Sequence, residues 1–230
     1  MTSARVREEW RARIAAEYTS AALTSCVVSW LIEDGAPPDL IDAALAIVAD
    51  ELVHSRMSHE VYVAAGGTEP PAIDRAQLTI RDRDLLRACV RVFCLGETVA
   101  VPLFRHLRER CTVAPAREAL DRILRDEVRH RDFGWDLLDW LCSVDPGVPA
   151  RVTAELPAMV VELEQGYGRG NPSVAEDDGA ISDDDRAWGL APPREYAEIL
   201  TRTVGKDYVP RFEARGVSPS CFKRFDQSDI

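Results

Sequence analysis

The sequence predicts an all-α protein, with a four-helix bundle in residues 1–145 and a C-terminal helical extension packed on it in residues 146–230. Four long segments of the first part repeat apolar residues at three- and four-residue intervals, the periodicity of helices that bury one face. Breaks rich in glycine and proline separate these segments. The 230 residues, 46% hydrophobic and 29% charged, can form one domain with a substantial core.

The first two helices are predicted at about 5–33 and about 39–65. Glycine and proline in residues 35–38 break the chain between them, and Asp39 is placed to cap the second helix. Glu17 lies inside the otherwise mostly apolar stripe of the first helix. This position predicts a carboxylate that faces the core.

The third and fourth helices are predicted at about 81–111 and about 115–143. The short turn between them makes them antiparallel neighbours. About 15 residues, including Pro70 and Pro71, connect helices 2 and 3 and can extend over about 50 Å, enough for a long crossover along the bundle. Pro102, inside the third helix, is expected to kink it or to force a local bulge.

The C-terminal extension is predicted to contain helices at about 148–166 and about 193–214. Between them, residues 166–185 are rich in glycine, aspartate and serine. This composition is typical of a mobile, solvated acidic loop, and a lid over a site is the alternative.

Composition excludes several classes of protein. The net charge of −11 disfavours a nucleic-acid partner, because such binding needs a clustered basic surface. The six cysteines have no Cys-x-x-Cys spacing, so neither a zinc ribbon nor a rubredoxin-like iron centre is encoded. No apolar stretch approaches the roughly 18 residues of a membrane span, so we expect no membrane partner and a cytoplasmic protein.

Two of the four histidines belong to the same pattern, Asp-Glu-x-x-His. Residues three apart share one face of a helix, so each Glu and its His can bind one ion while the Glu reaches a neighbouring ion. One further glutamate precedes each pattern. The predicted metal ligands, which are also the predicted catalytic residues, are Glu17, Glu51, His54, Glu97, Glu127 and His130.

The depths of these ligands agree with a single layer. Glu17 lies roughly 16 residues before the end of its helix and Glu51 roughly 13 after the start of the next, at about 1.5 Å per residue. Glu97 and Glu127 occupy comparable depths in helices 3 and 4. We predict that Glu51 and Glu127 bridge two ions and that the other two glutamates are terminal. Carboxylates with imidazoles favour iron, with manganese or a mixed pair as alternatives.

Three charged residues are predicted to support the ligands. A ligand histidine usually donates its other ring hydrogen to a carboxylate, so Asp126 is expected to pair with His54, and Asp50 with His130. Arg129 is expected either to hold one of these aspartates or to be a surface cation.

The residues Asp126-Glu127-Val128-Arg129-His130 resemble the Asp-Glu-x-Arg-His motif of bacterial multicomponent monooxygenases and acyl-carrier-protein desaturases, and residues 50–54 resemble its partner half. The ligand order resembles that of the ferritin-like di-iron carboxylate superfamily. The resemblance covers roughly residues 5–143. It implies a ferritin-like bundle with a crossover between helices 2 and 3, two iron ions, and reductive activation of dioxygen or peroxide.

The chain departs from particular families. The oxygenases have a hydroxyl residue one turn beyond the glutamate of the third helix. This chain has Ala100 and Val101 there. The ligand spacing is similar to that of rubrerythrins, but Cys94 replaces their additional glutamate and the rubredoxin cysteines are missing. Ser58 occupies the place of the radical-forming tyrosine of ribonucleotide reductase small subunits. Four small residues near the ligands, Ala21, Ser58, Ala100 and Gly134, leave room for a substrate, with close helix contact as the alternative at Gly134.

The leading hypothesis is a cytoplasmic di-iron oxidoreductase, an oxidase or oxygenase that oxidises a small organic substrate. Because no flavin or nicotinamide motif is present, electrons would come from a separate ferredoxin or reductase. A peroxidase or catalase-like enzyme and, with less support, a ferroxidase or iron-binding protein are the alternatives. The sequence leaves a homodimer open.

Overall fold

The computed structural model describes residues 2–69, 71, 73–74, 78, 83–167 and 181–226, and these residues form an all-α structure, as predicted. In chain order, its helices are α1 (Ala4–Glu33), α2 (Pro38–Ala64), α3 (Leu85–Ala88), a first π-segment (Cys89–Glu97), α4 (Thr98–Arg110), α5 (Ala114–Val144), α6 (Val148–Tyr167), α7 (Asp183–Ala187), α8 (Pro193–Thr203), a second π-segment (Val204–Tyr208), α9 (Val209–Glu213), a 3-10 turn (Ser220–Phe222) and α10 (Lys223–Asp226).

The bounds of α1, α2 and α5 agree with the prediction to within about one residue. The third predicted helix is a succession of α3, the first π-segment and α4. The capping role predicted for Asp39 is wrong: Pro37 is the N-cap residue, and no side chain caps α2. Pro38 begins the helix instead, because its fixed φ suits a first turn and that turn needs no donor from it.

Two compact units make up the chain. Unit 1 contains Met1–Leu85, Phe104–Asp126 and Ile181–Ala191, and unit 2 contains Leu86–Leu103, Glu127–Ala180 and Pro192–Ile230. The division falls inside α4 and inside α5, each of which supplies residues to both units. The ferritin-like topology and the boundary near residue 145 stay predictions, and seven residues of the predicted crossover (70, 72, 75–77, 79 and 80) lie outside the described residues.

Unit 1 is organised around the antiparallel pair α1 and α2. The Ser55 hydroxyl on α2 donates to the Ile14 carbonyl on α1 at 3.0 Å, which brings the two helices close near the middle of both. The fully buried Trp10 donates its indole hydrogen to the Trp188 carbonyl at 3.0 Å. This bond ties the start of α1 to the segment that follows α7.

Part of the predicted acidic loop is helical. Residues 168–180 lie outside the described residues, but Asp183, Asp184 and Asp185 form the first turn of α7. Ser182 and Asp185 form a capping box there, which satisfies backbone donors at the positive end of the helix. For these three aspartates, the prediction of a mobile loop is therefore wrong.

Unit 2 has an aromatic core in which the first π-segment packs against the second half of α5. The rings of Phe93 and Phe133 meet edge to face, with centroids 4.9 Å apart. Gly134 permits this close approach, because a Cβ there would lie 2.6 Å from the Phe93 Cβ and 2.7 Å from its carbonyl carbon. Close helix contact, the alternative stated for this glycine, is confirmed.

Within the ranges that the structure describes, no helix combines the length and the apolar character required to cross a bilayer.

Candidate metal centre

Three predicted ligands converge in unit 1. Glu17 on α1 and Glu51 and His54 on α2 are buried, and one donor atom from each lies within 4.8 Å of the others. The His54 Nδ1 atom is 3.4 Å from Glu51 Oε2 and 3.7 Å from Glu17 Oε2. Two carboxylates and an imidazole nitrogen thus form a buried group that could hold a metal ion.

Helix geometry explains this convergence. Glu51 and His54 are three residues apart and project from one face of α2. Glu17 belongs to the buried stripe of α1 that packs against this face. Ser20, one turn further along α1, donates to Glu51 Oε1 at 2.7 Å and orients that carboxylate. Sequence reasoning missed Ser20, although its three-residue spacing from Glu17 was a usable signal.

The other nitrogen of His54 has the partner that the sequence predicted. His54 Nε2 lies 3.1 Å from Asp126 Oδ2 on α5, and both side chains are fully buried. Burial opposes ionisation of Asp126, but hydrogen bonds from Arg122 and His54 outweigh it and lower the pKa of the carboxyl. An ionised carboxylate can only accept, so Nε2 carries the donated hydrogen and Nδ1 is left for a metal.

Arg122 links the two aspartates that precede the Glu-x-x-His segments. It donates from Nε to Asp126 and from Nη2 to Asp50 Oδ1, the latter at 2.8 Å. Arg125 also contacts Asp126, at 3.3 Å. The sequence analysis offered Arg129 for this role and missed Arg122, whose i,i+4 spacing from Asp126 was the available signal. The role of Arg129 stays a prediction.

The buried surroundings of His54 favour its protonated form. Burial alone would lower the pKa of His54, but its contacts with Glu17 and Glu51 dominate and raise it to about 10. Burial likewise opposes ionisation of Glu17, and the contacts with His54 and Glu51 outweigh it, so the pKa of Glu17 falls below its usual value. The cluster therefore needs positive charge. A divalent ion can supply that charge after His54 releases its proton.

Unit 2 contains the other three predicted ligands. Glu127 and His130 are buried on one face of α5, with His130 Nδ1 3.9 Å from Glu127 Oε2. The same nitrogen therefore faces the glutamate in both Glu-x-x-His segments. Glu97 is also buried, as the last residue of the first π-segment. The predicted pairing of Asp50 with His130 stays a prediction.

The first π-segment places Glu97 through contacts that the sequence analysis did not anticipate. The Tyr208 hydroxyl donates to the Leu95 carbonyl at 2.6 Å, and the Cys94 thiol donates to the Gly134 carbonyl at 3.3 Å. After the segment, Thr98 Oγ1 accepts a hydrogen bond from the Trp135 indole at 3.0 Å. A bulge was expected from Pro102, five residues further on, but nothing indicated a nine-residue π-helix that ends at the ligand.

Comparisons with known proteins add no name to this site. No protein-family model matches the chain, and neither a curated protein nor a solved structure matches it. The resemblance to ferritin-like di-iron proteins therefore stands on the ligand pattern alone.

Proposed function

We propose that this protein is a non-haem di-iron oxidase or oxygenase that oxidises a small organic substrate. The observation that supports it best is the buried cluster of Glu17, Glu51 and His54, in which Asp126 orients the imidazole. Oxygen-rich donor sets with one imidazole suit iron or manganese better than they suit softer metals. Manganese or a mixed pair is the alternative content.

Burial supports a metal-binding role over a purely structural one. An isolated carboxylate is costly to bury, and unit 1 buries two beside a single histidine. Around them, Ser20 and Asp126 hold the far sides of Glu51 and His54, so that Glu51 Oε2 and His54 Nδ1 face each other. Such support is typical of sites whose ligands must keep a fixed orientation.

The second ion is proposed from the repeated sequence pattern. Glu97, Glu127 and His130 would supply its ligands. In support, all three residues of unit 2 are buried, and the Glu-x-x-His geometry of α2 recurs on α5. When bound, a pair of iron ions supplies redox chemistry with dioxygen or peroxide, which protein side chains alone do not provide.

The chain's own residues would perform the remaining tasks. His54 would release its proton if a metal bound beside Glu17 and Glu51, and Arg122 favours the ionised form of Asp126. The buried surroundings exclude bulk water from the ligands. We propose that electrons arrive from an external ferredoxin or reductase.

Metal analysis and spectroscopy test the proposal. Metal-free protein is loaded anaerobically with Fe²⁺, its iron content is measured, and ultraviolet-visible spectra are recorded before and after oxygen addition. We expect two iron ions per chain and a new absorption band after oxygen. Glu51→Ala and His130→Ala should each lose iron and the band together. Retention of two ions in both variants would defeat the assignment.

His59→Ala is the matched control. His59 is on the same helix as His54 but is exposed, so its removal should leave iron content and spectra unchanged. Peroxide consumption without an organic substrate would favour the peroxidase alternative. Iron oxidation followed by storage of many ions per chain would favour the ferroxidase alternative.

A further inference from the structure

Two buried polar side chains of unit 1 have atoms that the metal centre does not use. Ser58 is fully buried and Arg13 is 8% exposed. Within the described part of the chain, neither the Ser58 hydroxyl nor Arg13 Nη1 has a hydrogen-bond partner. Buried donors are normally paired, so two such atoms in one unit indicate a missing acceptor.

Helix register brings these two residues to the same level. Ser20 contacts Glu51, Glu17 contacts His54, and Ile14 accepts from Ser55, so numbers fall along α1 as they rise along α2. Arg13 precedes Glu17 by four residues, and Ser58 follows His54 by four. The next turn of the antiparallel pair therefore places Ser58 opposite the Arg13 turn, one turn from the metal ligands.

Thr24 is a useful contrast. Its hydroxyl is also buried without a hydrogen-bond partner in the described residues. It lies on the other side of Glu17, where the same register places it near the apolar Ile47. Thr24 therefore lies on the side of the metal ligands that is away from Arg13.

The Arg13 side chain contacts one carboxylate and two aromatic rings. Its Nη2 donates to Glu9 Oε1 at 3.2 Å, and the Glu9 side chain is 40% exposed. Its guanidinium carbon lies 4.4 Å from the ring centroid of Trp10 and 5.3 Å from that of Phe104. The aromatic rings hold the guanidinium in place but offer no oxygen acceptor to Nη1.

We propose that Arg13 and Ser58 bind the carboxylate of a small organic substrate, one helical turn from Glu17 and His54. One guanidinium hydrogen and one hydroxyl hydrogen match the two oxygens of a carboxylate. Trp10 and Phe104 supply apolar surface for the carbon atoms beside it. The inference rests on the proposed function, since it names the substrate class for that metal centre.

Binding of hexanoate, with the neutral hexanamide as its partner probe, tests this site. Isothermal titration calorimetry is performed on metal-loaded and metal-free full-length protein, and the metal content of each sample is measured separately. Wild-type protein should bind hexanoate and discriminate against hexanamide. Arg13→Gln should weaken hexanoate binding by about 10- to 100-fold, because a charge-assisted hydrogen bond is lost. Ser58→Ala should weaken it by a smaller factor.

Arg105→Gln is the charge-matched control, since Arg105 is exposed on α4 beside Phe104. It should bind hexanoate as tightly as wild type. Equal hexanoate affinity in wild type, Arg13→Gln and Ser58→Ala, at unchanged metal content, would overturn the proposal, because the carboxylate would then bind elsewhere or directly to the metal. If Arg13→Gln fails to fold, the wild-type protein alone tests the proposal. Equal affinity of wild type for hexanoate and hexanamide would then overturn it.

The two proposals can fail separately. Wild-type protein that binds no metal contradicts the proposed function, whereas hexanoate binding that depends on Arg13 can still be measured in that sample. Protein that binds two metals but shows no hexanoate binding contradicts only the carboxylate site.

Discussion

The two Glu-x-x-His segments have the same local geometry, but different contacts position the predicted ligands of the two units. On α2, in unit 1, side-chain hydrogen bonds orient the ligands: Ser20 holds Glu51, and Asp126 holds His54. In unit 2, Glu97 depends on the backbone, because it ends a π-segment whose Leu95 carbonyl is bonded by Tyr208. Glu51 and His54 are thus positioned by polar side chains on regular helices, whereas Glu97 is positioned by an irregular helix packed in an aromatic core.

This difference predicts which substitutions damage each set. Removing a buried carboxylate should affect unit 1 most, since charged partners remain behind. Steric or hydrogen-bond changes near the π-segment should affect unit 2.

Asp126→Ala is expected to have the largest effect. It removes the acceptor of His54 Nε2 and one of the two carboxylates that Arg122 binds. Stability should fall by about 2 to 4 kcal/mol, and metal affinity by about 10- to 100-fold. Urea unfolding and metal titration measure the two effects. Asp121→Ala removes an exposed aspartate of the same helix and should change neither substantially. Equal effects of the two substitutions would contradict the role of Asp126.

Gly134→Ala should destabilise unit 2 by about 1 to 3 kcal/mol. The new Cβ would lie 2.6 Å from the Phe93 Cβ and 3.0 Å from the Cys94 nitrogen, so the π-segment must shift. Gly205→Ala is the control, because a Cβ there meets nothing within 4 Å. It should be neutral or slightly stabilising. A Gly134→Ala protein that unfolds at the wild-type urea concentration would show that the close approach is unimportant.

Tyr208→Phe should cost about 1 kcal/mol, because the Leu95 carbonyl loses its side-chain donor and keeps only the Thr98 backbone N–H, while the ring remains. If this bond also positions Glu97, the variant should bind less metal at limiting concentration, although it stays folded. Tyr18→Phe, at an exposed position of α1, is the matched control and should leave both properties unchanged. If Tyr208→Phe unfolds at the wild-type urea concentration and binds as much metal as wild type, the Tyr208 bond neither stabilises the π-segment nor positions Glu97.

The contrast between the units also explains what sequence could predict. The apolar stripe of α1 and the Gly-Pro break after it predicted α1 and α2 to within about one residue. The three-residue spacing of Glu51 and His54 predicted their shared face, and the adjacent Asp126 pattern predicted the imidazole partner. These features follow from helical periodicity and from the chemistry of histidine ligands.

The features that sequence could not predict depend on tertiary contacts. The residue types of the π-segment do not distinguish it from an α-helix. A hydrogen bond from Tyr208, 113 residues beyond Leu95 in the chain, stabilises it. The i,i+4 spacing indicated that Arg122 could reach Asp126, but its bond to Asp50 depends on the approach of α2 to α5. The helix at Asp183–Ala187 was obscured by its acidic composition, which is also typical of loops, although Ser182 and Asp185 have the spacing of a capping box.

Asp185 provides the smallest predicted effect, a pH dependence in unit 1. Burial raises the pKa of its carboxyl, but hydrogen bonds from Ser3 and Ser182 outweigh burial and lower the pKa below the usual 3.8. A lowered pKa in the folded state stabilises the protein at pH values above the unfolded-state pKa, and this stabilisation is lost as the pH falls through the folded-state pKa.

Asp185→Asn should therefore be less stable than wild type at pH 7, and the difference should shrink below pH 3.8. Urea unfolding of both proteins across this range measures it, with the neighbouring exposed Asp184→Asn as control. A difference that stays constant with pH would mean that the carboxylate charge contributes nothing to the contact between α7 and the start of α1.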